Sequence, residues 1–342
     1  MNFSHRIIGC REASTVRVSA GAFWQWLAAL IACVSIGFSP ATALADEGGV
    51  SFWLPGLYGS LAAAPAAPGW SLGAIYYHAS ADASASREFR LGGRIVAGLS
   101  AKGDLLFLMP SYVFSDPVLG GQAALALAGA FGHSDVSVEA TLTGPRGGIL
   151  SGSTNDSLTS NSDLYSLASL RWNRGNHNFL AYGMLGVPVG SYELGRLANL
   201  GTNHWSVDAG GGYTYFNKAN GREFSAVAGL SYNFENPDTN YRNGIDGHLD
   251  WAASQFFSER LHAGLVGYFY HQLSGDGGSG AQLGDFKSRV SAIGPQVGYM
   301  FPLHGRQAYL NLKGYYEFDA EHRAKGWNVW LSLSLPLGSG KK

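Results

Sequence analysis

The chain has 342 residues, 48 of them Gly, about twice the usual share, while Asp, Glu, Lys and Arg together make up only 14%. A sequence that is 46% hydrophobic, with 9 Trp, 17 Tyr and 18 Phe, excludes a disordered chain, and Gly recurring inside apolar segments excludes a helical bundle. A formal charge of −1 provides no basic field for nucleic acid.

In chain order, the first element reads as an export signal. Arg6, Arg11 and Arg17 face a single Glu12, and Ala22–Phe38 is apolar apart from Gln25 and Ser35. A basic region followed by an apolar one, then Ala43-Leu44-Ala45, predicts a signal peptide over 1–45 with cleavage before Asp46. Leu30-Ile31-Ala32-Cys33 leaves a lipoprotein signal as the alternative. Both cysteines, Cys10 and Cys33, lie in this segment, so the exported chain has no thiol for a disulfide, a metal or a nucleophile.

Residues 46–69 differ from everything after them. Pro55, Pro65 and Pro68 block a central strand, and Ala62-Ala63-Ala64 offers little to anchor in lipid. A segment folded into a barrel lumen and a periplasmic tail are both compatible with this composition.

From about residue 70 the sequence alternates large apolar with small or polar side chains, which predicts strands over 70–78, 89–99, 103–115, 121–132, 134–143, 162–173, 176–191, 204–217, 221–234, 244–257, 260–272, 286–301, 305–319 and 325–337. Trp327, Val329, Leu331 and Leu333 share one face, with Asn328, Trp330, Ser332 and Ser334 opposite. Short connections near 173–176, 217–221, 258–259 and 304–306 alternate with longer ones at 144–161, 192–203, 235–243 and 273–285. This pattern fits an all-β, antiparallel transmembrane β-barrel of about 12 to 14 strands over 70–338, followed by a tail over 339–342. The polar faces carry mostly Ser, Gly, Thr and Asn, which suits a confined lumen better than a water-facing surface. Aromatic residues near segment ends, among them Trp205, Tyr232, Phe234, Tyr299 and Trp327, suit interfacial girdles.

Strand parity also gives the candidate lumen residues. Phe216, Tyr268, Tyr270, Tyr309, Tyr315 and Trp330 would supply aromatic surface to a passing solute. Asp208, Glu223, Asp246, His248, Asp250, Lys313 and Glu317 would line the pore wall as paired charges. Asp246, His248 and Asp250 share one strand face, where a hydrogen-bond ladder is the simpler reading than a metal or acid–base site. The glycine spacing in Gly275–Gly280 lacks the strand and helix of a dinucleotide site and reads as a loop. No catalytic residue, metal or cofactor is expected.

Glu47-Gly48-Gly49-Val50-Ser51-Phe52-Trp53-Leu54-Pro55-Gly56, Pro68-Gly69-Trp70-Ser71-Leu72 and Tyr76-Tyr77-His78 resemble the start of the outer-membrane proteins linked to the meta-pathway of phenol degradation. The similarity extends through Asp104–Phe107, Pro110–Phe114, Pro117–Ala124 and the closing Asn328–Ser332. The resemblance implies a barrel related to channels for hydrophobic compounds, with Phe52, Trp53, Leu54, Pro55, Leu57 and Tyr58 as a small plug or solute-contacting constriction. It implies passive uptake of small hydrophobic or aromatic compounds across the bacterial outer membrane, with lipid and lipopolysaccharide as surroundings and no nucleic-acid partner. A non-conducting surface barrel and, further off, a lipid-modifying barrel enzyme are the alternatives.

Overall fold

The computed structural model describes residues 51–88, 94–143, 149–281 and 287–338. The expected signal peptide, with its alternative lipidation at Cys33, and the tail over 339–342 lie outside them. Twelve antiparallel strands run β1 (Gly69–Glu88), β2 (Arg94–Val113), β3 (Gln122–Thr143), β4 (Ile149–Arg174), β5 (His177–Val187), β6 (Ser206–Asn217), β7 (Arg222–Asn233), β8 (Asp246–Phe256), β9 (Leu261–Gln272), β10 (Arg289–Leu303), β11 (Arg306–Glu321) and β12 (Lys325–Pro336). Each pairs with its sequence neighbours, and β1 closes on β12 from Ser71↔Pro336 to Asp82↔Lys325. Closure gives every strand two partners, so an interior and an exterior replace the two edges of an open sheet.

The zigzag seen in the sequence becomes inside and outside. On β11, Leu310, Leu312, Tyr316 and Phe318 are exposed, while Asn311, Lys313 and Tyr315 are buried. On β12, Trp327 and Leu331 are exposed, and Asn328 and Trp330 are buried. On β7, Phe224 and Leu230 face out, and Glu223, Ser225 and Ser231 face in. An exterior of Leu, Phe, Tyr and Trp around a polar-filled interior is inverted relative to a water-soluble barrel, and hydrocarbon is the medium in which it is stable.

The first four strands depart from the sequence reading. The described part of the segment 89–99, residues 94–99, falls with 103–113 in one strand, β2; 122–132 and 134–143 fall in another, β3; and residues 149–161 of the expected loop 144–161 belong to β4. Lys102, Gly103 and Asp104 look like turn residues but pair in unbroken register with Asp135, Ser134 and His133. The physical reason is length. A tilted strand crosses a bilayer in about 9–11 residues, which β5–β9 match at 11 or 12, whereas β1–β4 have 20 to 26. A row across the exterior marks the change: His78 pairs with Asp104, Asp104 with His133, and His133 with Thr159. Tyr76 and His78 both hydrogen-bond Asp104, and His133 bonds Thr159 and Asp135. Beyond this row the strands no longer need apolar exteriors, so turn-forming residues tolerate extended pairing there.

The rim at which β1 begins carries the short turns after β4, β6, β8 and β10. The opposite rim carries the connections 188–205 and 234–245 and the described residues 273–281 and 287–288 between β9 and β10.

Candidate functional site

The interior is divided into two unlike halves. Residues 51–64 enter from the short-turn rim and run backwards through the barrel against β6–β11, and they are held there through their backbone. The Asp250 carboxylate accepts the N–H of Gly56 (2.9 Å) and of Tyr58 (3.0 Å). Glu223 accepts the N–H of Leu61 (2.9 Å) and the hydroxyl of Ser60 (2.6 Å), and Thr214 Oγ1 accepts the N–H of Ala63 (3.0 Å). From the opposite side Lys313 Nζ donates to the carbonyls of Gly56 (2.6 Å), Leu57 (3.1 Å) and Tyr58 (3.4 Å). Pro55, with Gly56, Gly59 and three Ala, denies this stretch a regular ladder of its own. Several of its backbone groups are therefore satisfied by side chains projecting from the wall, three of them charged.

Side chains complete the anchoring. The Trp53 indole stacks on the His248 imidazole, and His248 Nε2 lies 2.9 Å from Asp208 Oδ2, which also accepts the Ser231 hydroxyl at 2.5 Å. Tyr182 reaches His248 because Gly210 and Gly229 leave its hydroxyl the space. A Cβ would stand 2.7 Å from that oxygen at Gly210 and 2.3 Å at Gly229. Burial pushes the Tyr58 hydroxyl up to about 12, so it is neutral at physiological pH.

The other half, bounded by β1–β5 and β12, is not filled; its lower part is apolar, and its upper part mixes apolar residues with Lys102, Glu317, Arg323 and Asn328. A cavity of about 70 Å³ lies between the inserted segment and the wall, lined by Leu54, Leu57, Ile75, Met109, Met184 and Trp330 among others. Above it is a cavity of about 220 Å³ inside the tall part of β1–β3, lined by Tyr77, Ala79, Leu99, Val136, Leu200 and Glu317 among others. Leu54, Phe107 and Tyr165 belong to both. The connection 188–205 bends inward over the upper cavity and is pinned by two carboxylates. Asp163 accepts the N–H of Gly190 (2.8 Å) and both the N–H (2.8 Å) and hydroxyl (2.7 Å) of Thr202, and Asp156 accepts the N–H of Leu197 (2.9 Å) and Ala198 (3.1 Å).

The sequence-derived site residues all point inward, but to different places. Trp53 and Tyr58 sit in the inserted segment beside Tyr182. Tyr268 packs on Tyr315, and Tyr270 lies under the Arg323 guanidinium, 4.7 Å away. Phe216 packs on Phe256, and the Tyr309 hydroxyl meets His262 Nε2 at 2.9 Å. Of the eight aromatics, Trp330 alone lines either described cavity. Asp208, Glu223, Asp246, His248, Asp250 and Lys313 are buried in hydrogen bonds rather than facing a pore, with Asp246 on the Asn233 amide (3.1 Å). Glu317 does line the upper cavity, accepting from Tyr268 (2.6 Å) and the N–H of Gly326 (2.8 Å). No cluster of three or more His, Cys, Asp or Glu fit for a metal occurs among the described residues. Sequence reasoning missed Phe107, Met109, Tyr165 and Met184. The signal was present in Leu105-Leu106-Phe107-Leu108-Met109, where alternation vanishes because both faces of β2 are apolar.

Residues 85–333 match the family described as "Putative MetA-pathway of phenol degradation". The chain belongs to this family. Among solved structures, the COG4313 outer membrane channel from Pseudomonas putida F1 is similar at TM-score 0.58 and 14% identity, covering 79% of this chain and 96% of that one. A FadL homologue from Pseudomonas aeruginosa aligns over 87% of this chain and 98% of its own at 8% identity and TM-score 0.41. None of the curated proteins matches the sequence. The first of these likenesses is one of fold, a closed antiparallel β-barrel.

Proposed function

We propose that the protein is a bacterial outer-membrane channel for passive inward movement of small hydrophobic or aromatic compounds, serving aromatic, phenol-type catabolism. The observation that carries this reading is the asymmetry of the lumen. On the β6–β11 side charged and polar groups are consumed in fixing residues 51–64, and on the side of β1–β5 and β12 two adjoining cavities descend beside that segment, the lower one apolar and the upper one largely apolar with Lys102, Glu317 and Arg323 in its lining. A solute retarded by the lipopolysaccharide layer would leave water for the upper cavity, driven by burial of its apolar surface at about 25 cal/mol per Å². It would then move down between Phe107, Tyr165 and Leu54. The lipid-facing exterior and family membership support the outer-membrane setting.

Among the described residues, the Asp208–His248 pair serves the anchoring of the segment: the Ser231 hydroxyl donates to Asp208 rather than approaching His248, and the imidazole is covered by Trp53.

The test uses vesicles with lipopolysaccharide in the outer leaflet, with and without the protein, measuring uptake of labelled toluene and phenol. Uptake at least tenfold above protein-free vesicles is expected. Equal uptake would favour the non-conducting barrel instead.

A further inference from the structure

We infer that Met109 and Met184 form the movable gate of the channel and set its size limit at a single aromatic ring. The inference rests on the uptake reading and adds to it the residues that select.

The lower cavity, at about 70 Å³, is closed to any aromatic solute as it stands, since a cavity of about 150 Å³ is what holds one benzene. The upper cavity, at about 220 Å³, accommodates one ring with a small substituent. A solute resting above must therefore dilate the lower space roughly twofold, and most of its walls cannot give. The β-strand backbones are locked by pairing on both sides. The inserted segment is fixed at Gly56, Tyr58 and Leu61 by Asp250, Glu223 and Lys313. Trp330 is tied to Asn328 through its indole N–H (3.0 Å), Ile75 is stiff at χ1, and Ala126 and Ala128 have nothing to swing.

Phe52, Phe107, Tyr165 and Leu167 also line the space, but their rings or branched ends have fewer rotatable bonds than Met109 on β2 and Met184 on β5. Each Met is unbranched with three rotatable side-chain bonds and a polarizable sulfur that packs well on aromatic rings. Space has been left for one of them. Gly73 lies directly opposite Met109 in register, and a Cβ there would stand 3.2 Å from the Met109 Cε. The sequence contains only four Met, and two of the three beyond Met1 line this one space, the third being Met300. That placement concentrates the chain's most adaptable apolar side chains where the passage is narrowest.

Two measurements test the gate. In full-length wild-type protein carrying ¹³C-methyl methionine, addition of toluene is expected to shift the Met109 and Met184 signals and leave Met300 in place. Unmoved Met109 and Met184 signals would overturn the inference. In lipopolysaccharide-containing vesicles, toluene and naphthalene uptake is compared among wild type, Met109→Ile/Met184→Ile and Met109→Ala/Met184→Ala. Wild type should favour toluene at least tenfold. The stiff Ile pair should slow toluene at least fivefold, and the Ala pair should bring naphthalene within threefold of toluene. If wild type carries toluene and both variants keep its selectivity and rate within twofold, the gate is wrong and the uptake reading survives. If wild type carries neither solute, both fall.

Discussion

The indole of Trp53 lies face to face on the imidazole of His248, ring centroids 3.6 Å apart and planes within 13°. One ring belongs to the inserted segment and the other to the barrel wall. His248 is in turn held by Asp208, and both side chains are fully buried. This contact joins a sequence stretch with no secondary structure of its own to the rigid part of the fold.

Replacing Trp53 with Ala removes a large buried side chain, a change that costs about 3–5 kcal/mol in well-packed interiors. The temperature at which the folded band is lost on heat-modifiability gels should fall clearly for Trp53→Ala and much less for Trp53→Phe, which keeps an aromatic face. Equal behaviour of the two variants would show that the stack does not anchor the segment.

Asp250 accepts the N–H groups of Gly56 and Tyr58, and Lys313 donates to the carbonyls of Gly56, Leu57 and Tyr58. Hydrogen bonds to charged groups contribute about 1.5–3 kcal/mol each, so Asp250→Asn and Lys313→Met should each loosen the segment. The double variant should cost less than the sum, because a segment already released has little left to lose. Planar-bilayer recordings should show larger and noisier ion conductance for each single variant than for wild type.

Gly229→Ala would place a methyl group 2.3 Å from the Tyr182 hydroxyl and 2.8 Å from His248. Overpacking of this kind costs about 1–3 kcal/mol, and the urea midpoint of folding into bilayers should drop accordingly. Gly98→Ala, where nothing lies within 4 Å, should leave it unchanged.

On the exterior, Leu312 pairs with Leu331 of β12 and Val297 of β10, all three exposed. Leu312→Arg should cost about 2–4 kcal/mol if this belt faces the bilayer midplane, measured as folding free energy in liposomes. A soluble, water-facing surface would tolerate Arg at no cost.

Much of β5–β12 was legible because each strand spans one environment on each side. Lipid outside and polar groups inside impose a clean alternation, as at Trp327–Ser334. In β2 and β3 the segments 89–99 and 134–143 did read as strands, but their continuity with 103–115 and 121–132 did not, nor did the full height of β1 and β4, because above the row His78–Asp104–His133 the exterior no longer has to be apolar and Gly103 or Ser134 reads as a turn. The inward direction of Asp250, Glu223 and Lys313 followed from parity. Their use as backbone clamps did not, since their partners lie more than 150 residues away in sequence. The apolar passage was hidden for the converse reason: Leu105–Met109 is apolar on both faces and gives no phase to read.

The most direct measurement of the passage fills it. Ala128 on β3 lines the lower cavity, and Ala128→Trp would occupy that space while leaving the clamps on residues 51–64 in place. With folding verified by heat-modifiability, toluene uptake into lipopolysaccharide-containing vesicles should fall at least tenfold. Uptake unchanged from wild type would mean that solutes do not travel between the inserted segment and β1–β5.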